Sequence, residues 1–240
     1  MQNYPVHLAG RRDVDLSRWL WIVKWLLALP HYIVLLVLWF VFLVLTIVAW
    51  FAILVTGRYP WQIFHFNEGV LRWSWRVTFY AFVLGTDRYP PFRLGSDPNY
   101  PADLSVDYPQ RLSRGLVLVK WWLLAIPHYL VVGVFTNGVS SGWSGGGMYA
   151  EDGHVWSAPW QPAHIGLTGL MALFAGVVLL FRARYPDGLF DFQMGMQRWI
   201  YRVSGYALLM RDEYPPFRMD LGGADPGQGA ERPGHTTGNH

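Results

Sequence analysis

The 240-residue sequence contains no cysteine and few charged residues. The absence of cysteine excludes disulfide bonds, thiolate metal sites and a cysteine nucleophile. Charged residues make up 15% of the chain, whereas an ordinary soluble domain has about 25%. Hydrophobic residues reach 52% and aromatic residues 17%. This composition predicts a protein that resides in or on a lipid bilayer.

The sequence also lacks the usual patterns of catalytic sites. Its acidic residues show no paired spacing, no His-Glu-x-x-His motif occurs, and Gly145–Gly147 leads into no helix with a phosphate-binding lysine. The net charge of +3 comes from arginines and lysines beside apolar, Trp- and Tyr-rich runs, which suits anionic lipid headgroups better than nucleic acid. We therefore predict a non-enzymatic protein with no cofactor and no nucleic-acid partner.

The chain carries one pattern twice. Leu16–Tyr32 recurs as Leu112–Tyr129, and Arg58–Val77 recurs as Arg184–Val203. The second copy also contains an inserted polar segment of about 29 residues, Thr136–His164, which has no lysine or arginine. A tandem duplication with one interrupted copy predicts two structural units of the same design.

The duplication predicts the domain organisation. We expect a first membrane repeat at 1–97 and a second at 98–222, with the inserted polar loop at 136–164 and a disordered tail at 223–240. Short extended segments flank the repeats at Tyr4–Leu8, Phe92–Leu94, Pro101–Val106 and Phe217–Leu221, and they predict a small β-sheet.

Two arrangements fit the apolar run of the first copy. In the favoured one, residues 16–56 form a membrane helical hairpin that reverses near Trp39–Phe40, where the second copy holds its insertion. Arginines at both ends of the run then place both termini in the cytoplasm and loop 136–164 outside, in a multi-pass protein of the cell membrane. We therefore predict a mainly α-helical integral membrane protein.

The alternative places an interfacial helix at 16–29, a break at Pro30 and one continuous crossing at 31–56. The absence of turn-forming residues around Trp39 favours it. Against it, the second copy would then hold a polar loop in the middle of a crossing, where lipid-exposed irregular backbone is costly.

A third helix is predicted in each repeat, at about 67–84 and 193–209. Two arginines lie four residues apart on one face of each helix, Arg72 with Arg76 and Arg198 with Arg202. We expect an amphipathic helix at the membrane interface, with these arginines in contact with anionic lipid headgroups.

Paired polar residues inside the apolar runs form a candidate intramembrane site. These residues are Lys24 and His31 in the first copy and Lys120 and His128 in the second. We expect the lysines to extend to the interface and the histidines to bond a carbonyl freed at the adjacent proline. One extra tryptophan after Lys120 is expected to turn His128 by about 100° relative to its lysine.

The recurring order Leu-Ser-Arg, Lys, Pro-His-Tyr, Arg-Tyr-Pro, Arg-Trp-x-x-Arg-Val and Asp-x-Tyr-Pro-Pro-Phe-Arg resembles bacterial membrane proteins grouped as domain of unknown function 4389. Two copies cover nearly all of residues 4–221. The resemblance implies an integral membrane protein and brings no reaction with it. The second copy departs from the pattern, because Gly115 replaces Trp19 and the polar loop splits its apolar run.

Three functions fit the sequence. The first is a module that organises anionic lipid or docks a membrane protein partner, including a second copy of itself. The second is a small transporter or channel component that uses the paired lysines and histidines. The third is a membrane protein in which the two histidines bind haem or a metal.

Overall fold

The computed structural model describes residues 4–137, 166–182 and 184–225, and within them the chain is mainly helical. In chain order the elements are β1 (Val6–Gly10), α1 (Leu20–Leu27), α2 (Leu29–Thr56), α3 (Trp61–Ala81), β2 (Ala102–Val106), α4 (Arg114–Val119), a π-helical turn (Lys120–Leu124), α5 (Ile126–Asn137), α6 (Leu167–Arg182) and α7 (Asp187–Ala207).

The two strands form an antiparallel sheet that relates the two repeats. Leu8 lies opposite Leu104, and Val6 lies opposite Val106. Leu8 and Leu104 also hold the same position before their respective repeats, because each lies eight residues before a Leu-Ser-Arg sequence. A local two-fold axis therefore passes through this pair, normal to the sheet. Both repeats consequently place their helices on the same side of the sheet.

The predicted sheet is confirmed for two of its four segments. Tyr4–Leu8 overlaps β1, and Pro101–Val106 overlaps β2. Phe92–Leu94 and Phe217–Leu221 form no strand. They lie in turns and irregular chain after α3 and α7 respectively. Each of these segments instead supplies acceptors and aromatic rings to the helix beside it.

The central helix of each repeat, α3 in the first and α7 in the second, packs on the strand that precedes the other repeat. The Nε atom of Arg72 on α3 donates to the Leu104 carbonyl at 2.7 Å, and that of Arg198 on α7 donates to the Leu8 carbonyl at 3.1 Å. α3 packs against β2 and α7 packs against β1. The repeats therefore share one core instead of folding side by side.

α2 lies along the outer side of α3. The Trp39 indole N–H donates to Ser74 at 3.0 Å, and the Asn67 amide donates to Thr46 at 3.2 Å. Since Arg72 on α3 faces the sheet, α3 lies between the strands and α2. The molecule thus has three layers, namely the sheet, the central helices and an outer layer of apolar helices.

The predicted helical hairpin of the first copy is wrong. α2 continues without interruption from Leu29 to Thr56, through the position at Trp39–Phe40 where the hairpin was expected to turn. No residue there favours a turn, so the helix continues through this position. The break lies at Ala28, just before Pro30 in the first turn of α2, as in the alternative arrangement.

In the second copy, two shorter helices, α5 and α6, together form a rod that corresponds to α2. α5 packs through His128 against Trp199 as α2 packs through His31 against Trp73, and α6 packs through Gly176 against Trp21. The pieces meet where the Thr168 hydroxyl donates to the Phe135 carbonyl at 2.8 Å. A Cβ on Gly166 would overlap the carbonyl of Thr136, which explains the glycine at this junction.

Two predicted boundaries also change. The inserted loop was expected from residue 136, but Thr136 still belongs to α5, and 138–165 lie outside the described residues. The disordered tail was expected from residue 223, but Gly223 accepts from the Gly10 N–H at 3.0 Å and Asp225 accepts from the Leu8 N–H at 2.9 Å. The start of the predicted tail therefore packs on β1, and 226–240 are not described.

The extra tryptophan of the second copy is absorbed by the π-helical turn Lys120–Leu124. A π-turn holds one residue more than an α-turn, so the chain regains its register after it. The expected rotation of His128 relative to Lys120 is therefore wrong, and both residues make the same contacts as their counterparts in the first copy.

A histidine on β1 predicts how the fold responds to pH. His7 lies 3.5 Å from the Asp107 carboxylate and 3.8 Å from the Asp225 carboxylate. Asp225, with help from Asp107, raises the pKa of His7 above its ordinary value of 6.5, against the opposing effect of burial. The charged histidine therefore stabilises the fold below about pH 6.5, and this contribution is lost as the pH rises through the folded-state pKa.

We expect the difference in unfolding free energy between the wild-type protein and His7→Gln to be larger at pH 6 than at pH 9. Detergent-solubilised protein unfolded by urea, followed by tryptophan fluorescence, gives this difference. An equal difference at both pH values would contradict the assignment of the ion pairs.

Candidate functional site

The lysine of the first repeat is buried and paired with a carboxylate. Lys24 is 1% exposed, and its Nζ lies 2.7 Å from the Thr86 carbonyl and 2.7 Å from the Asp87 carboxylate. The second oxygen of Asp87 accepts from the backbone N–H of Ser17 at 2.6 Å. Asp87 therefore fastens the start of the first helical segment to the loop that follows α3.

The second repeat contains the same pair. Lys120 is fully buried, with Nζ at 2.7 Å from Asp212 and 3.0 Å from the Arg211 carbonyl, and Asp212 accepts from the Ser113 N–H at 2.5 Å. Each ammonium also lies over a tyrosine ring, at 5.2 Å for Tyr80 and 5.6 Å for Tyr206. The arrangement therefore belongs to the repeat as a unit.

These contacts correct the expectation that Lys24 and Lys120 extend to the interface. A buried ammonium is stable only when it is paired and hydrogen-bonded, and both lysines meet this condition. Sequence reasoning missed Asp87 and Asp212 as their partners. The available signal was position, because each carboxylate lies two residues before a Tyr-Pro-Pro-Phe segment in its own copy.

The histidine of the first repeat lies in an aromatic cage. The Trp73 indole N–H donates to Nδ1 of His31 at 3.0 Å, and Phe92 stacks on the imidazole with ring centroids 3.9 Å apart. Tyr89 packs at 4.8 Å. Burial of His31 was predicted, but its partner is an indole instead of a carbonyl.

His128 repeats the cage with matching residues. Trp199 donates to its Nδ1 at 3.2 Å, Phe217 stacks at 4.3 Å and Tyr214 packs at 4.8 Å. Each histidine therefore packs on the central helix of its own repeat. The Tyr-Pro-Pro-Phe segment of each repeat supplies two rings to its cage.

The cages leave little capacity for ligation. Because Nδ1 accepts from an indole in both cages, each neutral imidazole carries its proton on Nε2, and neither nitrogen offers a free lone pair. Across the described parts of the chain, no group of three or more His, Cys, Asp or Glu side chains could hold a metal ion. The arrangement is that of a packed polar core, while haem binding and transport stay predictions.

The four arginines of the central helices bind protein acceptors. In the first repeat, Arg72 contacts the Glu68 carboxylate at 2.7 Å, and Arg76 contacts Asp103 at 3.2 Å. In the second repeat, Arg198 donates to the Asp220 carbonyl at 2.5 Å, and Arg202 contacts the Asp220 carboxylate at 2.6 Å.

This network corrects the prediction that Arg72, Arg76, Arg198 and Arg202 contact lipid headgroups. All four are buried, with exposed fractions of 8%, 0%, 1% and 3% respectively. Burial lowers the pKa of Arg76, and the neighbouring Asp103 opposes that effect. Arg72, Arg76 and Arg198 hold the sheet to the central helices, whereas Arg202 binds the segment after α7. α3 and α7 are core helices that begin directly after Pro60 and Pro186.

One helical segment is long and apolar enough to cross a membrane. It is Leu20–Thr56, with a mean hydropathy of 3.0 in its most apolar window, of which 17% is buried. A second candidate arises if Arg114–Leu124 and Ile126–Thr136, which meet at 47°, count as one span. By length and composition, the described residues thus offer one or two such helices.

Comparison with known proteins gives one match. A protein-family model described as a domain of unknown function (DUF4389) matches residues 18–93 and 160–218, which together exceed half of the chain. The first matched region lies within the first copy of the repeat, and the second covers the later part of the second copy, after Lys120 and His128. No curated protein and no solved structure matches the chain.

The buried lysine pairs predict a measurable coupling. Lys24→Met leaves Asp87 without its cation, and Asp87→Asn leaves a buried ammonium, so each substitution should destabilise the protein by roughly 3 kcal/mol. The double variant should recover part of this loss, with a coupling of about 1–3 kcal/mol. Unfolding in detergent, followed by tryptophan fluorescence, measures all three variants.

A matched control comes from the Arg93–Asp97 pair, whose arginine is 48% exposed. The same cycle on this pair should give a coupling below about 1 kcal/mol. Equal couplings for the two pairs would show that burial of Lys24 adds nothing to its interaction with Asp87.

Proposed function

Since this chain belongs to the DUF4389 family, whose description names no activity, its function has to be inferred from its geometry. We propose that it is a non-enzymatic membrane protein whose outer layer of apolar helices is embedded in one leaflet of the cell membrane, parallel to the membrane plane. In that position it binds anionic lipids at its edge and presents its sheet to the aqueous side.

The observation that carries the proposal is the exposed face of α2. A long apolar helix in the core of a soluble protein is mostly buried, but only 17% of the apolar window of Leu20–Thr56 is buried. Large side chains such as Ile33, Leu36 and Phe40 are 68–72% exposed. A contiguous apolar surface of this size on one side of a protein is typical of a membrane contact.

The other apolar helices extend this surface. Trp25 on α1, Leu130 on α5 and Phe181 on α6 are 58%, 71% and 80% exposed. The local two-fold axis at Leu8 and Leu104 is normal to the sheet, so the helices of both repeats lie on the same side of the sheet. Together they form one apolar layer, separated from the sheet by α3 and α7.

The packing of α2 on α3 supports an orientation parallel to the membrane. α3 runs beside α2 and carries the buried charges of Glu68, Arg72 and Arg76, with the sheet beneath them. A perpendicular α2 would take these charges and the strands into the hydrocarbon region, where charged groups are costly. A parallel α2 leaves them on the aqueous side of the apolar layer.

The interrupted rod of the second repeat supports the same orientation. α5 and α6 meet at Thr136 and Gly166, near the middle of a rod that corresponds to α2. In a perpendicular rod this break would lie near the centre of the bilayer, where irregular backbone exposed to lipid is prohibitive. At the membrane surface the same break carries no such cost.

Four valines on one face of α2 allow a direct test. Val34, Val41, Val48 and Val55 are all exposed and lie seven residues apart, which is about 10 Å along a helix. The chain has no cysteine, so each Val→Cys variant carries one site for a fluorescent label. Lipids brominated at three depths of the acyl chain quench a label according to its depth in the bilayer.

We expect the four labels to be quenched best at one common depth, because a parallel helix keeps them level. The control is Val14→Cys, which is 95% exposed on the polar side and should resist all three lipids. A quenching depth that moves steadily from Val34 to Val55 would contradict the parallel orientation. Labels that behave like the one at Val14 would contradict membrane embedding.

A further inference from the structure

Three arginines surround a cleft at the end of α2. The cleft has a volume of about 560 Å³ and is lined by Thr56, Gly57, Arg58, Arg111, Leu112 and Arg114. Among the described residues, no acidic side chain lines it. Its three arginine side chains are exposed, and in the described residues they form no hydrogen bond or ion pair with the protein.

The backbone fixes the shape of this cleft. α2 ends at Gly57, whose φ of 72° is a left-handed conformation that favours glycine, and Gly57 accepts from the Leu112 N–H at 2.9 Å. A Cβ on Gly57 would lie 3.6 Å from Nε of Arg114, so this guanidinium packs directly over the turn. The chain before α4 is thereby held against the end of α2.

In a second polar cleft, the arginines lie beside aspartates of the protein itself. It has a volume of about 660 Å³, and its lining combines Arg11, Arg12 and Arg88 with Asp13, Asp15 and Asp87. Arg88 pairs with Asp13, and Arg12 pairs with Asp187. Positive charge is balanced there within the protein, whereas the three arginines at the end of α2 remain available to an anionic ligand.

The α2 cleft lies between the two repeats, and its counterpart at the other end of the molecule differs from it. Arg58 of the first repeat and Arg114 of the second correspond to Arg184 and Arg18, but Arg111 corresponds to Asp15. A general need for positive charge at helix ends would be met equally well in both halves. The third arginine therefore points to a ligand at this end alone.

The chemistry of the cleft and its surroundings specifies an amphiphilic anion. Guanidinium groups bind phosphate oxygens through paired, charge-assisted hydrogen bonds. Apolar side chains continue from the cleft along the helices, with Val55 74%, Phe51 59% and Leu118 48% exposed. We propose that the cleft of Arg58, Arg111 and Arg114 binds the phosphate of an anionic phospholipid, with the acyl chains against α2 and α4.

This assignment rests on the proposed embedding only for the source of the phosphate, so the test separates the two. The full chain in maltoside micelles is titrated with short-chain phosphatidylglycerol, with phosphatidylcholine of the same chain length and with inorganic phosphate. Binding in micelles does not depend on the orientation of α2 in a bilayer. The quenching depths of the valine series can thus contradict the parallel orientation while phosphatidylglycerol still binds the cleft. Equally, the orientation can be supported while the cleft binds no phosphatidylglycerol.

The variant Arg58→Gln/Arg114→Gln should lower the affinity for phosphatidylglycerol by at least about tenfold, because it removes two charge-assisted contacts. The matched control is Arg184→Gln/Arg18→Gln, which makes the same charge change at the corresponding positions and should alter affinity less than about twofold. Arg111→Asp, which installs the residue of the other half, should also weaken binding strongly and serves if the double variant does not fold.

Three outcomes would overturn the assignment. Equal losses in the double variant and its control would show a general effect of net charge. Equal affinity for phosphatidylglycerol and phosphatidylcholine would show binding by acyl chains without recognition of the anion. Inorganic phosphate that binds as tightly as phosphatidylglycerol would identify a free-phosphate site instead of a lipid site.

Discussion

The pairing of β1 with β2 is the contact on which the rest of the structure depends. Each strand precedes one repeat in sequence and supports the central helix of the other, through the bonds of Arg72 to Leu104 and Arg198 to Leu8. Because these guanidinium groups are buried, each needs the strand carbonyls and nearby carboxylates to replace water. The sheet therefore joins the two repeats and also satisfies the charges at their centre.

Much of this design was predictable because it occurs twice. The segments that form the two strands, the central helix of each repeat and the polar residues Lys24 and His31 with their counterparts all follow from comparing the copies. The partners of the lysines were not predicted, because Asp87 and Asp212 lie more than sixty residues from the lysines they bind. Contacts over such separations come from the tertiary fold, and only the recurrence of the Tyr-Pro-Pro-Phe segment pointed to them.

The errors have a common physical cause. The apolar run of the first copy was interpreted as a helical hairpin in the membrane, and arginines on an amphipathic helix were interpreted as lipid contacts. Both interpretations assume that the helix faces only lipid and water. Here α2 covers α3, and the arginines of α3 face a sheet that composition and periodicity gave no reason to place there. Because protein covers two faces of α3, its arginines bind protein groups instead of lipid headgroups.

The exchange of strands between repeats makes each half of the chain depend on the other. A chain with a single repeat would have its arginine buried against no strand, since its own strand lies under the other repeat's helix. Such a chain completes its core only by pairing with a second copy, through the same antiparallel contact that Leu8 and Leu104 make now. The duplicated protein thus holds within one chain a contact that two single-repeat chains would have to make between them, and its halves differ in the insertion and in Arg111.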